Sequence, residues 1–200
     1  GSQAGTAVEG DFNIAICSRA NQGAGEIDRG TALGALASAS SDSAAVGYNA
    51  RTTGVSAVAV GAEATAAGQG VAVGRSAFAE GGSAALGFNS RAVATDAVGT
   101  SFLTGNTFGD GTVVSVGNAA SNLQRRIVNV ADGAQGFDAV NVNQLRAAQT
   151  ATANLVGGNV VVDSNGTYGG YVIALTDIDG NVQQYTTVAA AINAVSSGEL

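Results

Sequence analysis

The residues able to carry chemistry are few, and the missing types decide more than those present. The chain has no His and no Lys, which removes the commonest general base and metal ligand, Schiff-base chemistry and the phosphate-binding Lys of a P-loop. Its single thiol, Cys17, has no His to activate it and no second Cys to pair with, so it reads as a small buried apolar residue. Asp177, Asp179 and Asn181 suggest a calcium loop, but an EF-hand needs Gly in sixth place and Glu in twelfth; here Gly180 comes fourth, and a hairpin turn fits better. Asn165-Gly166-Thr167 matches a glycosylation acceptor, yet Asn-Gly is also a favoured hairpin turn. The expectation is no catalytic residue, no cofactor and no metal. What remains is binding: Arg51, Phe78 and Arg91 are of the types enriched in binding hot spots and fall at equivalent steps of a repeat.

That repeat must position them. Thr31 to Gly34, Ala44 to Gly47, Val58 to Gly61, Val71 to Gly74, Ala84 to Gly87 and Asp96 to Gly99 align on glycines spaced 13, 14, 13, 13 and 12 residues apart. An earlier copy, Ile14 to Cys17, carries Cys in the glycine place and is followed by a longer insertion, Ser18 to Gly30. Between copies lies a second small-residue motif: Ala37-Ser38-Ala39, Ala50-Arg51-Thr52, Ala64-Thr65-Ala66, Ala77-Phe78-Ala79 and Ser90-Arg91-Ala92. Two period-2 segments joined by Gly, Ser and Asn turns read as two short strands per coil, and a period this short excludes paired helices. A parallel β-roll follows.

Within the glycine strand, Ala15, Ala32, Ala45, Ala59, Ala72, Ala85 and Ala97 alternate with Ile16, Leu33, Val46, Val60, Val73, Leu86 and Val98. The alanine face suits a confined lumen, which leaves an outward aliphatic row too large for a soluble monomer and calling for a partner. The alternative puts Val and Leu in the lumen and Ala against the neighbour. The second strand should point its small residues inward and Ser38, Arg51, Thr65, Phe78 and Arg91 outward.

Composition agrees. Of 200 residues, 46% are hydrophobic but only 5% aromatic, with 30 glycines, so any core is thin and repetitive. A net charge of -7 argues against nucleic acid. No run of about 18 apolar residues is present to span a membrane, and no charged segment followed by an apolar stretch marks a signal peptide. Gly1-Ser2 has the look of an expression remnant, so the expectation is a fragment whose export and anchoring parts lie elsewhere.

After the repeats the pattern changes. Ser115-Val116-Gly117-Asn118, then Arg126-Ile127-Val128-Asn129-Val130 with Ala131 and Gly133, then Asp138-Ala139-Val140-Asn141-Val142-Asn143-Gln144-Leu145, resemble the neck of trimeric autotransporter adhesins with YadA-like heads, and the units upstream resemble that family's head repeat. The resemblance covers roughly residues 12 to 150. It implies a mainly β fold: a left-handed parallel β-roll head in a homotrimer, then a neck, a short coiled-coil helix and a small β module. It also implies display on a Gram-negative outer membrane and attachment to host extracellular matrix or cell-surface proteins, with no membrane insertion by this portion. The expected segments are 1–11 as lead-in, 12–111 as roll, 112–145 as neck, 146–156 as coiled coil and 157–200 as β module. Trimer contacts are expected at Val46, Val60, Val73, Leu86, Val98, Ile127, Val130, Val140, Val142 and Leu145, and the adhesive surface at Arg51, Phe78 and Arg91.

Leu145, Ala148, Thr152 and Leu155 follow the 3-4-3 spacing of a coiled-coil seam. Beyond Gly157, strands are expected at 160–162, 171–175 and 182–186 with turns at 163–166 and 177–180, then a helix capped by Thr187 with Val188, Ile192 and Val195 on one stripe. The functional readings are an adhesin head, a structural spacer projecting a distal binding domain, and an ice-binding β-solenoid, disfavoured because Arg and Phe interrupt the Thr ranks a flat ice face wants. An acyltransferase solenoid is disfavoured by the missing His.

Overall fold

A computed structural model describes all residues except 23, 24, 102, 110, 158, 199 and 200. It divides into two units, residues 1–126 and 127–200.

The first unit is a parallel β-solenoid. Ile14–Ile16, Thr31–Leu33, Ala44–Val46, Val58–Val60, Val71–Val73, Ala84–Leu86 and Val114–Ser115 stack in that order as a seven-stranded parallel sheet. A second wall pairs Arg51–Thr52, Thr65–Ala66, Phe78–Ala79 and Arg91–Ala92, extended downward by a bridge from Ser38 to Arg51. Sequence register is kept throughout, so each residue lies over its counterpart one coil away. The corners stack too: Asn49, Glu63, Ser76 and Asn89 each donate an N–H to a carbonyl of the coil before, at 2.8–2.9 Å.

Two walls this close leave room only for methyl groups. The core is two clusters of alanines, and the largest side chains fully buried are Asn21, Ser83 and Ser90. Ala32, Ala45, Ala59, Ala72 and Ala85 have no exposed surface, while Ile16, Leu33, Val73 and Leu86 are 38–51% exposed and Val46 and Val60 half-buried. Of the two facings the sequence allows, the alanine face takes the lumen and the branched aliphatics point out.

Each glycine column position is required twice. Gly47 and Gly61 have φ of +132° and +130°, and a Cβ on either would lie 2.6 Å from the carbonyl carbon of the glycine one coil on. Glycine must therefore stack on glycine. The corner that follows reverses the chain through a left-handed residue, Leu36, Asn49, Glu63, Ser76 or Asn89, at φ +52 to +62°.

The ends depart from the sequence reading. Residues ahead of 12 are not a bare lead-in, because Val8–Glu9 pairs parallel with Gly25–Glu26. Within the insertion, Ala20, Asn21 and Ile27 are buried, and asparagines supply partners the irregular coil lacks: Asn21 Oδ1 accepts from the Ala39 N–H at 2.6 Å and Asn13 Oδ1 from the Gly30 N–H at 2.9 Å. Gly23 and Ala24 of this insertion lie outside the described residues. Asp96 to Gly99 is not a coil. Ala94–Ala97 forms a 3-10 turn whose Asp96 carboxylate accepts the Val93 N–H, and Gly99–Thr100 pairs antiparallel with Thr107–Phe108. Val98 therefore leaves the aliphatic row, and the strand place above Ala84–Leu86 is taken by Val114–Ser115.

In the second unit, α1 (Val142–Val156) begins inside the expected neck rather than at 146. Its start is a capping box: Asn141 Oδ1 accepts the Gln144 N–H at 3.1 Å, and Gln144 Oε1 accepts the Asn141 N–H at 3.4 Å. The same side chains bind the preceding segment, with Asn141 Nδ2 donating to the Val130 carbonyl and to Asp132, and Gln144 Nε2 to the Gly133 carbonyl. Hairpins follow at Val161–Val162 with Tyr168–Gly169 and at Ile173–Thr176 with Val182–Tyr185, then α2 (Val188–Ser197), whose Thr187 cap accepts the Ala190 N–H. The strand expected from 171 starts at 173, and Tyr168–Gly169 is an additional one. Both turns share one device: Asp163 Oδ1 accepts from Asn165 and Thr167, and Asp177 Oδ1 from Asp179 and Asn181. The Asp177 carboxylate serves as a turn staple.

Candidate binding surfaces

Two faces of the roll carry side chains free to meet a partner. On the glycine wall, Ile16, Leu33, Val46, Val60, Val73 and Leu86 form one continuous outward file through the strand register. A file of six branched aliphatics with no polar interruption is out of place against water.

On the second wall, Ala37, Ala39, Ala50, Thr52, Ala64, Ala66, Ala77, Ala79, Ser90 and Ala92 are all buried, which aims Ser38, Arg51, Thr65, Phe78 and Arg91 outward. Arg51 and Arg91 are exposed; Phe78 is half-buried, because the Arg91 guanidinium lies over its ring, 4.8 Å from the centroid. The sequence placed Phe78 and Arg91 in one file but did not anticipate that they stack. It missed a second pair altogether: Arg75 lies over Phe88 at 4.4 Å. Among the described residues the one ion pair is elsewhere, Arg29 Nε to Asp42 Oδ1 at 2.5 Å, where the hydrogen bond from Arg29 holds the Asp42 carboxyl below its ordinary range.

A further residue unseen in the sequence is Arg125. Its guanidinium covers the open end of the roll, donating to the Phe88 carbonyl, the Val116 carbonyl and, at 3.0 Å, Ser90 Oγ. It stands over Gly87, where a next coil would put its glycine: a Cβ on Gly87 would lie 3.4 Å from Arg125 Cζ. One planar cation thus supplies the donors that a further strand would have brought. No local pattern marks such a residue, since its partners are up to 37 residues away. Arg125→Ala is expected to cost about 2–3 kcal/mol by stripping charged hydrogen bonds from the last coil, read as a lower melting temperature with early hydrogen exchange at Leu86 to Ser90.

In the second unit the expected contact residues stand free. Ile127, Val140, Val142 and Leu145 are 55–71% exposed, Leu155 is 89% exposed, and Val130 is half-buried. The neck segment keeps its shape through polar contacts: Asp138 Oδ2 accepts the Ala134 and Gln135 N–H groups, at 2.8 and 2.9 Å, and these hold its carboxyl below the usual range. Protonating Asp138 in acid would release both, so that turn tightens above the ordinary carboxylate range and loosens as pH falls through the lowered value. Ile173, Leu175, Val188, Ala191, Ile192 and Val195 line an apolar groove of about 400 Å³ between the last hairpin and α2.

The first unit is thus a thin parallel β-roll that leaves an aliphatic file outward, and the second carries a helix whose seam faces solvent. Residues 126–168 match the coiled stalk of trimeric autotransporter adhesin. The chain is 44% identical over 64 residues to the trimeric autotransporter adhesin AtaA of Acinetobacter sp. (strain Tol 5), a match covering 28% of this chain and 2% of that protein. Two solved structures resemble it: the collagen-binding domain of the Yersinia adhesin YadA (25% identity, TM-score 0.43, covering 70% of this chain and 84% of that one) and the C-terminal YadA-like domain of BPSL2063 from Burkholderia pseudomallei (32% identity, TM-score 0.26, covering 38% and 35%). The stalk match and the likeness to AtaA are similarities to trimeric autotransporter adhesins. The chain spans a small fraction of the length of its curated relative.

Proposed function

We propose that the chain works as a homotrimeric adhesin segment on a bacterial outer-membrane surface, joined through Val46, Val60, Val73 and Leu86 on the roll and Ile127, Val130, Val140, Val142 and Leu145 beyond it. It attaches to host extracellular matrix or cell-surface proteins through the wall bearing Arg51, Phe78 and Arg91. The observation that carries this reading is the outward aliphatic file, which only a packed neighbour relieves. Threefold repetition of a weak wall contact gives tight attachment by avidity.

The stalk match over 126–168 favours a second reading, a spacer that projects a binding domain located elsewhere. One variant separates the two. Changing Arg51, Phe78 and Arg91 together to Ser is expected to lower the melting temperature by only a few degrees, since one cation–π pair of about 1 kcal/mol is lost per chain, while attachment to host cells or matrix proteins falls severalfold. Full attachment by an intact variant would leave the spacer reading.

A further inference from the structure

The two cation–π pairs occupy equivalent steps of adjacent coils in opposite order. Arg75 and Phe88 stand at the corner immediately after Gly74 and Gly87, and Phe78 and Arg91 face each other three residues further on, across the second wall. The two pairs therefore span the same two neighbouring coils, about 5 Å apart along the roll. Each guanidinium is held over a ring, so the orientational freedom a long arginine would lose on binding is already reduced. Neither Arg75 nor Arg91 makes an ion pair or a side-chain hydrogen bond among the described residues, and their N–H edges remain unspent. Glu63, at the same corner one coil earlier, accepts a hydrogen bond from Ser76 Oγ at 3.2 Å, and Asp96, which lines a cavity with Arg91, accepts the Val93 N–H.

The acids around these coils are largely occupied: between residues 42 and 96, Asp42 pairs with Arg29, Glu63 accepts from Ser76 and Asp96 accepts the Val93 N–H, whereas Arg75 and Arg91 keep their donors. Paired, pre-oriented guanidinium forks suit the oxygens of sulfate or carboxylate groups bidentately. The inner strands of this wall are paired coil to coil, and at its edge strand, Arg91–Ala92, the Arg91 N–H is taken by the Gly117 carbonyl and the Val93 N–H by Asp96, so an incoming peptide finds few free donors to pair with. A polymer that carries its anions on successive units needs no such edge.

Resting on the reading of this wall as the adhesive surface, we propose that the Arg75–Phe88 and Phe78–Arg91 doublet binds a sulfated polysaccharide. The full chain is tested on immobilised heparin, with poly-L-glutamate as the acidic-peptide comparator. Binding that weakens with added salt is expected, with Arg75→Gln/Arg91→Gln losing about tenfold or more for two charge-assisted contacts. Arg75→Lys/Arg91→Lys keeps the charge but loses the planar fork and is expected to lose severalfold, with the melting temperature held. Arg19→Gln, an exposed arginine of an early coil with no part in the wall, should stay within about twofold of the unchanged chain. No heparin binding, undiminished binding by both arginine double variants, or equal affinity for poly-L-glutamate would overturn the proposal. Stripping sulfated polysaccharide enzymatically from host cells keeps the two readings apart: attachment that survives stripping but is lost by the Arg51, Phe78 and Arg91 triple variant overturns the sugar ligand and leaves the adhesive wall standing.

Discussion

Gly61→Ala is expected to unfold the head or to lower its melting temperature by about 10–20 °C. The new methyl would sit 2.6 Å from the Gly74 carbonyl group, at a φ of +130° that an L side chain rarely adopts. Neither partner can retreat, because both belong to a backbone hydrogen-bonded above and below: the Gly61 N–H donates to Val46 and the Gly74 N–H to Val60. A backbone clash with strain on this scale costs about 4–5 kcal/mol, at roughly 2–4 °C per kcal/mol for a chain of this size. Gly68→Ala is the matched control. Gly68 also has positive φ, at +40°, but a Cβ there meets nothing within 4 Å, so only the left-handed penalty of about 1–2 kcal/mol applies. Thermal melts of the two variants side by side check the claim; equal losses would mean that glycine stacking is not what sets the coil spacing.

Val60→Asp is expected to be nearly as damaging, for a reason outside the single chain. Within one chain Val60 points out and is half-buried, so an aspartate there could reach water and should cost less than about 1 kcal/mol. Packed against two other rolls, the same carboxylate would lose its solvent without gaining a partner, costing several kcal/mol at each of three symmetry-related places. Loss of the trimer, with folded or aggregating single chains, is the expected outcome by light scattering and thermal melt. Thr65→Asp, on the other wall, should leave the assembly intact. A Val60→Asp chain that melts like its parent would place the interface on another face.

The coil architecture was legible in the sequence because each coil repeats the same demands: alanine where the walls meet, glycine where the corner turns left-handed over its neighbour, a branched residue outside. Burial followed from these demands position by position. The end of the roll was not legible. Asp96-Ala97-Val98-Gly99 satisfies the strand pattern as well as Val58 to Gly61 does, but a three-residue strand holds little local preference, and Asp96 instead captures the Val93 N–H and starts a turn. Cys17 occupies the glycine place at φ +89°, an exception that the pattern located without explaining. Arg125 and the Arg75–Phe88 stack escaped for the opposite reason: their partners lie on other coils, so spacing along the chain carries no sign of them. In the second unit the Asn141 to Gln144 capping box went unread within the neck motif, and it starts α1 at Val142, inside the expected neck.

The proposed trimer would bury both the aliphatic file and the exposed helix seam, so the oligomeric state is the decisive quantity. Light scattering of the intact chain coupled to size exclusion measures it directly. Three copies of a 19.3 kDa chain give a single species of about 58 kDa that keeps its mass on dilution until it unfolds. A monodisperse, folded species of 19.3 kDa would contradict the account.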